Sequence, residues 1–216
     1  MASDGMLNAR YAPHRVVRGV ARRLYSPASR SVVLRRDLER PLVAPRAKIP
    51  ISVRAADDGD GPRISALLSE LSGDDSSARK RFLDRRIGTC YVAVDDRGDI
   101  CYMQWLVGPE HNDLLASCTN LPILDDREAL LENAFTPAAF RGRGIMAAAM
   151  AEIALRGEEL GSRWALTVVM EDNLPSIKGC LKAGFEPYML KLDGWRLFHH
   201  QIRYTELPPG YAIPGA

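Results

Sequence analysis

The sequence predicts a mixed α/β domain, with one central and mostly antiparallel sheet flanked by helices. Three observations predict it. β-prone and amphipathic runs follow one another in the order strand, two helices, three strands, helix, strand, helix, two strands. One stretch joins an apolar run, Ala129 to Thr136, through a glycine-rich turn to an abrupt helix. A length of 216 residues, with 46% hydrophobic and 26% charged, suits one globular domain plus an extension.

Taken in order, residues 1–10 show no apolar pattern and are expected to be disordered. Pro13 to Tyr25 places Val16, Val17, Val20 and Leu24 on one helical face and Arg15, Arg18 and Arg22 on the other. Such a helix suits an acidic membrane surface, a protein partner or an organellar transit signal; alternatively it docks its valines on the body. Up to Lys48 there are eleven Lys or Arg against Asp4, Asp37 and Glu39, so a basic arm precedes an acidic body. Pro41 and Pro45, followed by Pro50, make 41–49 read as a linker. The expected organisation is a basic extension over 1–49, a folded body over 50–207 and a tail over 208–216.

The body opens on an alternating strand, Ile51 to Arg54, and a helix from Pro62 that aligns Ile64, Leu67, Leu68 and Leu71. A polar turn, Gly73 to Ser77, leads to a charged helix, Ala78 to Arg86. Cys90–Val94 and Ile100–Val107 read as a hairpin across Asp95 to Asp99. Gly108 to Asp126 reads as a long polar loop, and Trp164–Met170 as a strand. Pro175–Lys182 is a short helix stopped by Gly184, and a last hairpin is expected across Asp193-Gly194.

Several functions are excluded. No run of eighteen apolar residues exists, so no membrane span is expected. Cys90, Cys101, Cys118 and Cys180 form neither a C-x-x-C pair nor a zinc spacing with the four histidines. Free thiols, a cytoplasmic location and no metal follow as expectations. His199 and His200 fall on opposite faces of a strand, so they are not a metal pair. There is no GxxxxGK[ST] and no GxGxxG.

What remains is an anion site. Arg141-Gly142-Arg143-Gly144 runs straight into the helix that begins Ile145-Met146. Its first N–H groups lack helical partners, the helix dipole adds positive character, and two arginines add fixed charge. This stretch resembles the [QR]-x-x-G-x-[GA] motif of the GNAT N-acetyltransferase superfamily. Thirty residues on, Asn173-x-x-Ser176 running to Cys180 and Gly184-Phe185 is similar to that family's N-x-x-[AS]-x-x-x-Y-x-x-x-GF segment. The two pieces occur in order and at the expected separation, and the resemblance covers roughly Ile51 to Tyr204.

The resemblance implies a sheet splayed where the Ala129 and Trp164 strands diverge, with acetyl-coenzyme A wedged into the gap. It implies that the N–H groups of Gly142 to Met146 hold the pyrophosphate and that the backbone of Phe135 and Thr136 pairs with the pantetheine arm. Asn173, with Ser176, either contacts that arm or caps its helix. Two departures stand out: Met146 where the motif has Gly or Ala, and Cys180 where the family has a tyrosine acid.

For the chemistry, Glu132 is the candidate general base, since a partly desolvated carboxylate has a raised pKa. The alternative is that Glu132 simply pairs with an arginine. Cys180 and Tyr188 are candidate acids. Glu110, Asp113, Asp125 and Asp126 would draw a cationic acceptor, and Tyr91, Tyr102 and Trp105 line either a pocket or the core. The expected activity is direct acetyl transfer from acetyl-coenzyme A to a small-molecule amine, an amino sugar among the options. A protein acetyltransferase and a non-catalytic acyl-coenzyme A sensor are the alternatives. Sequence-specific nucleic-acid binding is not expected, and a homodimer is allowed.

Overall fold

The structure, a computed structural model, describes residues 25–69 and 74–213. The expected disorder over 1–10, almost all of the helix from Pro13, the start of the Gly73 turn and the last tail residues lie outside them.

Among the described residues eight strands form one sheet in the order β2-β3-β4-β5-β6-β1-β7-β8. They are β1 (Tyr25–Asp37), β2 (Ser52–Ala55), β3 (Thr89–Val94), β4 (Ile100–Val107), β5 (Glu128–Phe135), β6 (Trp164–Met170), β7 (Glu186–Arg196) and β8 (His199–Glu206). Among the described residues only β5 and β6 pair in parallel. The helices are α1 (Gly61–Ser69), α2 (Asp74–Arg85), α3 (Asn112–Cys118), α4 (Ile145–Leu155) and α5 (Leu174–Lys182). α4 and α5 pack on one face of the sheet, around Leu131, Met150, Ile177 and Phe185. α1, α2 and α3 cover the other face, around Ile64, Phe82, Trp105 and Leu115. Among the described residues no helix is long and apolar enough to cross a membrane.

The main correction lies at the N-terminal side. The expected boundary at residue 50 cuts through the domain, because β1 is an interior strand. It pairs with β6 from Ser31–Met170 to Asp37–Trp164 and with β7 on its other edge. Val32 and Leu34 are fully buried. The apolar run Val32-Val33-Leu34 is only three residues long and is hemmed in by arginines, which disguised it as part of a basic arm. Those arginines are structural. The Arg35 guanidinium lies 4.1 Å from the centre of the Trp164 ring and 3.8 Å from that of Tyr188. Buried Arg36 donates to Ala151 O at 3.0 Å and Ala183 O at 3.3 Å, near the C-terminal ends of α4 and α5. Arg30 pairs with Glu171 at 2.7 Å.

The segment read as a linker has no regular structure but is bound to the body. Lys48 N–H donates to Arg143 O at 2.8 Å, and Leu42 packs beside Gly184. Two smaller corrections follow. The expected loop over Gly108 to Asp126 contains α3, whose Leu115 is fully buried. The last hairpin turns at Leu197-Phe198, both left-handed (φ 49° and 64°), while Asp193-Gly194 lie within the β7–β8 ladder. Asp193 and Gly194 were the turn-prone residues there, and the longer ladder prevailed over local preference.

Leu34→Ala should cost about 2–5 kcal/mol, as large-to-small changes in a core do. Denaturant unfolding checks this, and a chain lacking residues 1–37 should show no cooperative transition.

Candidate active site

The parallel ladder of β5 and β6 holds only three pairs, Glu128–Trp164, Ala129–Ala165 and Leu130–Leu166. Beyond them the strands part, although β5 runs on to Phe135 and β6 to Met170. A β-bulge accompanies the parting. The β4–β5 register steps from Trp105 opposite Glu132 to Met103 opposite Phe135, so Gln104 faces both Asn133 and Ala134. Asn133 takes a left-handed conformation (φ 59°), which Asn tolerates better than most residues. Arg79 of α2 holds the bulge, donating to Asn133 O at 3.2 Å and to Ala134 O at 2.9 Å.

Glu132 sits in the resulting fork. One carboxylate oxygen accepts the N–H of Val168 on β6 at 3.0 Å, and the other accepts the N–H of Asn133 at 3.3 Å. The side chain thus stands in for the backbone acceptor that a continued ladder would have supplied. Burial pushes its pKa up to about 7, opposed by the two N–H donors and by the charges of Lys191 and Arg79. The carboxylate is packed among buried atoms, yet the residue keeps some surface open. It opens onto a cleft of about 520 Å³ lined by Ala78 and Phe82 of α2, by Thr119, Asn120 and Asn133, and by Arg81. An arginine pairing does not account for Glu132, since its hydrogen bonds are to backbone N–H groups.

The turn before α4 forms a cradle of open backbone N–H groups, the geometry expected of an anion site. Gly142 and Gly144 have φ of 74° and 73°, which a residue with a Cβ takes only under strain. Among the described residues the N–H groups of Gly142 to Ala147 meet no acceptor, and the first helical bond runs from Ala148 N–H to Gly144 O at 3.2 Å. Arg141 is held at the end of β5, its Nε donating to Thr136 O at 3.1 Å. Arg143 leans towards the Phe140 ring at 5.7 Å, and both arginines are exposed. Buried Ile145 anchors the first turn of the helix.

Met146 does not close the cradle. Its Sδ lies 2.8 Å from the position a Cβ on Gly179 would occupy, so the side chain reaches across to α5 and fills the space that glycine leaves. Asn173 caps α5, with Oδ1 accepting the N–H of Ser176 at 3.3 Å. The backbone of Phe135 and Thr136 follows the bulge and leads into the cradle turn.

Neither candidate acid is placed for its role. Cys180 is fully buried in the α4–α5 core, and burial, with the charge of Glu132 adding to it, pushes its thiol up to about 12. Tyr188 is stacked on Arg35 next to Trp164, whose partner Glu128 lies four residues before Glu132, about 13 Å along the strand. The acidic loop residues are displaced likewise: Asp125 and Asp126 line a groove with Trp164 and Tyr188 at that same end. Tyr102 and Trp105 are core residues.

Sequence reasoning missed Asn133, Arg79 and Gln104. One signal was available for the first, because Asn is depleted in strand interiors and here interrupts an apolar run.

No protein-family model matches the chain. No curated protein sequence matches it either. Solved structures do. An acetyltransferase of the GNAT family from Colwellia psychrerythraea superposes with a TM-score of 0.52 at 11% identity, covering 93% of this chain and 63% of that one. A tandem GNAT protein from the clavulanic acid biosynthesis pathway gives 0.54 at 18% identity, covering 96% and 62%. A glucosamine N-acetyltransferase region of a fungal multi-domain β-N-acetylglucosaminidase gives 0.55 at 13% identity, covering 86% and 24%. The chain spans about three fifths of the length of the first two of these structures. Its fold is that of the GNAT N-acetyltransferases, and the splay between β5 and β6 is present as that resemblance implies.

A carboxyl whose folded pKa lies above its unfolded value of 4.5 favours the folded state fully below that value, and the advantage is lost as pH rises through about 7. Glu132→Gln removes the charge and keeps an oxygen for the Val168 N–H, while the acceptor of the Asn133 N–H is lost. Chemical unfolding should therefore find the stability difference between variant and wild type moving in the variant's favour by on the order of 2 kcal/mol from pH 4 to pH 8, allowing for partial exposure.

Proposed function

We propose that the chain is an acetyl-coenzyme A-dependent N-acetyltransferase that acts on the primary amine of a small molecule. One observation carries the reading. A carboxyl with a pKa of about 7 stands in the fork of a GNAT sheet, opening onto a polar cleft, while an unpartnered helix N-terminus lies at the end of the same strand.

The residues present fit the coenzyme. The unpartnered N–H groups of Gly142 to Ala147, with Arg141 and Arg143, match a pyrophosphate. The backbone of Phe135 and Thr136 offers main-chain groups to an amide-bearing arm. The exposed Asn173 side chain and Ser176, at the start of α5, bound the same side. When bound, acetyl-coenzyme A supplies an acetyl group activated as a thioester.

The rest belongs to the chain's own residues. Near neutral pH Glu132 is divided between its two forms, so its carboxylate takes the proton that an attacking ammonium group must lose. The Val168 and Asn133 N–H groups hold that carboxylate in one orientation. Neither Cys180 nor Tyr188 delivers a proton on the departing side, and water is the donor in this account. The cleft of about 520 Å³ has the size of a small-molecule site, and its lining of Arg81, Thr119 and Asn120 replaces the acidic lining expected from the loop. An amino sugar is one acceptor of suitable size, and peptide amines belong in the same screen because they test the protein-acetyltransferase alternative.

At ~100-fold excess over Kd, acetyl-coenzyme A should stabilise the protein by about 2.7 kcal/mol, seen as a raised melting temperature. Gly144→Val, which strains the left-handed turn and crowds Arg46 O, should abolish the shift with the fold intact by circular dichroism. Turnover of a cognate amine should rise with pH through about 7, and this inflection should vanish in Glu132→Gln. Coenzyme binding with no turnover of any amine would favour the sensor reading instead.

A further inference from the structure

Among the described residues two buried side-chain polar atoms lack a hydrogen-bond partner, Gln104 Nε2 and Ser162 Oγ. The first lies beside the fork. Gln104 is fully buried, and its Oε1 accepts the Tyr102 hydroxyl at 2.7 Å, which turns Nε2 away from Tyr102. A buried donor without an acceptor is costly, so such groups are rare unless a ligand completes them.

Its position says which ligand. The β4–β5 register sets Gln104 directly opposite the bulge of Asn133 and Ala134. The bulge carbonyls do not satisfy it, and both accept instead from Arg79 of α2. Tyr102 and Leu106, its neighbours in strand alternation, pack into the α4–α5 core, so Gln104 shares that face with the anion cradle. Glu132, opposite Trp105, belongs to the face covered by α1, α2 and α3, where the cleft lies. A proton acceptor on one face and a fixed, unused donor on the other suit acyl transfer. The amine loses its proton on one side, and the carbonyl oxygen gains negative character on the other.

We infer that Gln104 Nε2 donates a hydrogen bond to the acyl carbonyl oxygen of the bound coenzyme thioester, with Tyr102 as the positioning residue that sets the amide. The inference rests on the acetyltransferase reading above and adds a specific preference to it. Free coenzyme A has no acyl carbonyl, so the acetylated form gains a bond the free form cannot make.

Isothermal titration of the full chain with acetyl-coenzyme A and with free coenzyme A tests this without knowledge of the acceptor. Wild type should bind the acetylated form about fivefold more tightly, the worth of one ordinary hydrogen bond. In Gln104→Met the preference should disappear while affinity for free coenzyme A is kept. Should that variant fail to fold, Gln104→Leu combined with Tyr102→Phe leaves no orphaned group and carries the same comparison. Equal affinities in wild type, or a preference that survives the substitution, would overturn the assignment. Binding of neither form would overturn the acetyltransferase reading itself.

Discussion

The structure depends on a ladder that stops. β5 and β6 are the only parallel pair among the described residues, and their hydrogen bonding ends after three residues. Ending a ladder inside a domain leaves backbone N–H and C=O groups without partners, and buried groups of that kind have to be satisfied. Here the solution is chemical. A side-chain carboxylate fills the first vacant acceptor position, and the next two carbonyls of β5 turn to an arginine on a helix. The groups that keep the fork open are therefore also the groups to which the proposed reaction assigns its chemistry. The burial that makes Glu132 a suitable acceptor also raises its pKa.

The rest of the chain supports the opening from both sides. α4 and α5 meet through Met146 and Gly179, a long side chain matched to an absent one. Arg36 of β1 ties both helices to the sheet through carbonyls near their C-terminal ends. The segment from Leu42 to Pro50 runs past the cradle and binds Arg143 O. From residue 25 on, this basic and proline-punctuated part braces the cradle turn rather than standing apart as an arm. Arg30, Arg35 and Arg36 are engaged by Glu171, aromatic faces and carbonyls.

Much of this was legible in the sequence wherever local chemistry determined local structure. The Arg141 to Met146 turn was readable because left-handed glycines and a helix start leave a fixed residue signature. Trp164–Met170 was readable in full because β-branched and aromatic residues dominate it. β1 was not, since three apolar residues among arginines carry no decisive period, and its burial depends on partners at Trp164 and Tyr188 more than a hundred residues away. The site shows the same divide. Glu132 could be found because a carboxylate inside an apolar strand is conspicuous. Asn133, Arg79 and Gln104 could not be assembled, because their association depends on a register shift between two strands. Cys180 was a candidate by its place in a motif and Tyr188 by lying just past Gly184-Phe185, and the packing of α5 and of the start of β7 removes both.

The central claim is that the cradle and the fork form one site. An amide NMR titration of the 23.9 kDa chain with acetyl-coenzyme A tests this most directly. The account predicts large, saturable shifts at Gly142 to Ala147 together with shifts at Asn133 and Val168, all fitting one dissociation constant. Saturation of the cradle amides with Asn133 and Val168 unmoved would contradict it, as would shifts confined to another part of the molecule.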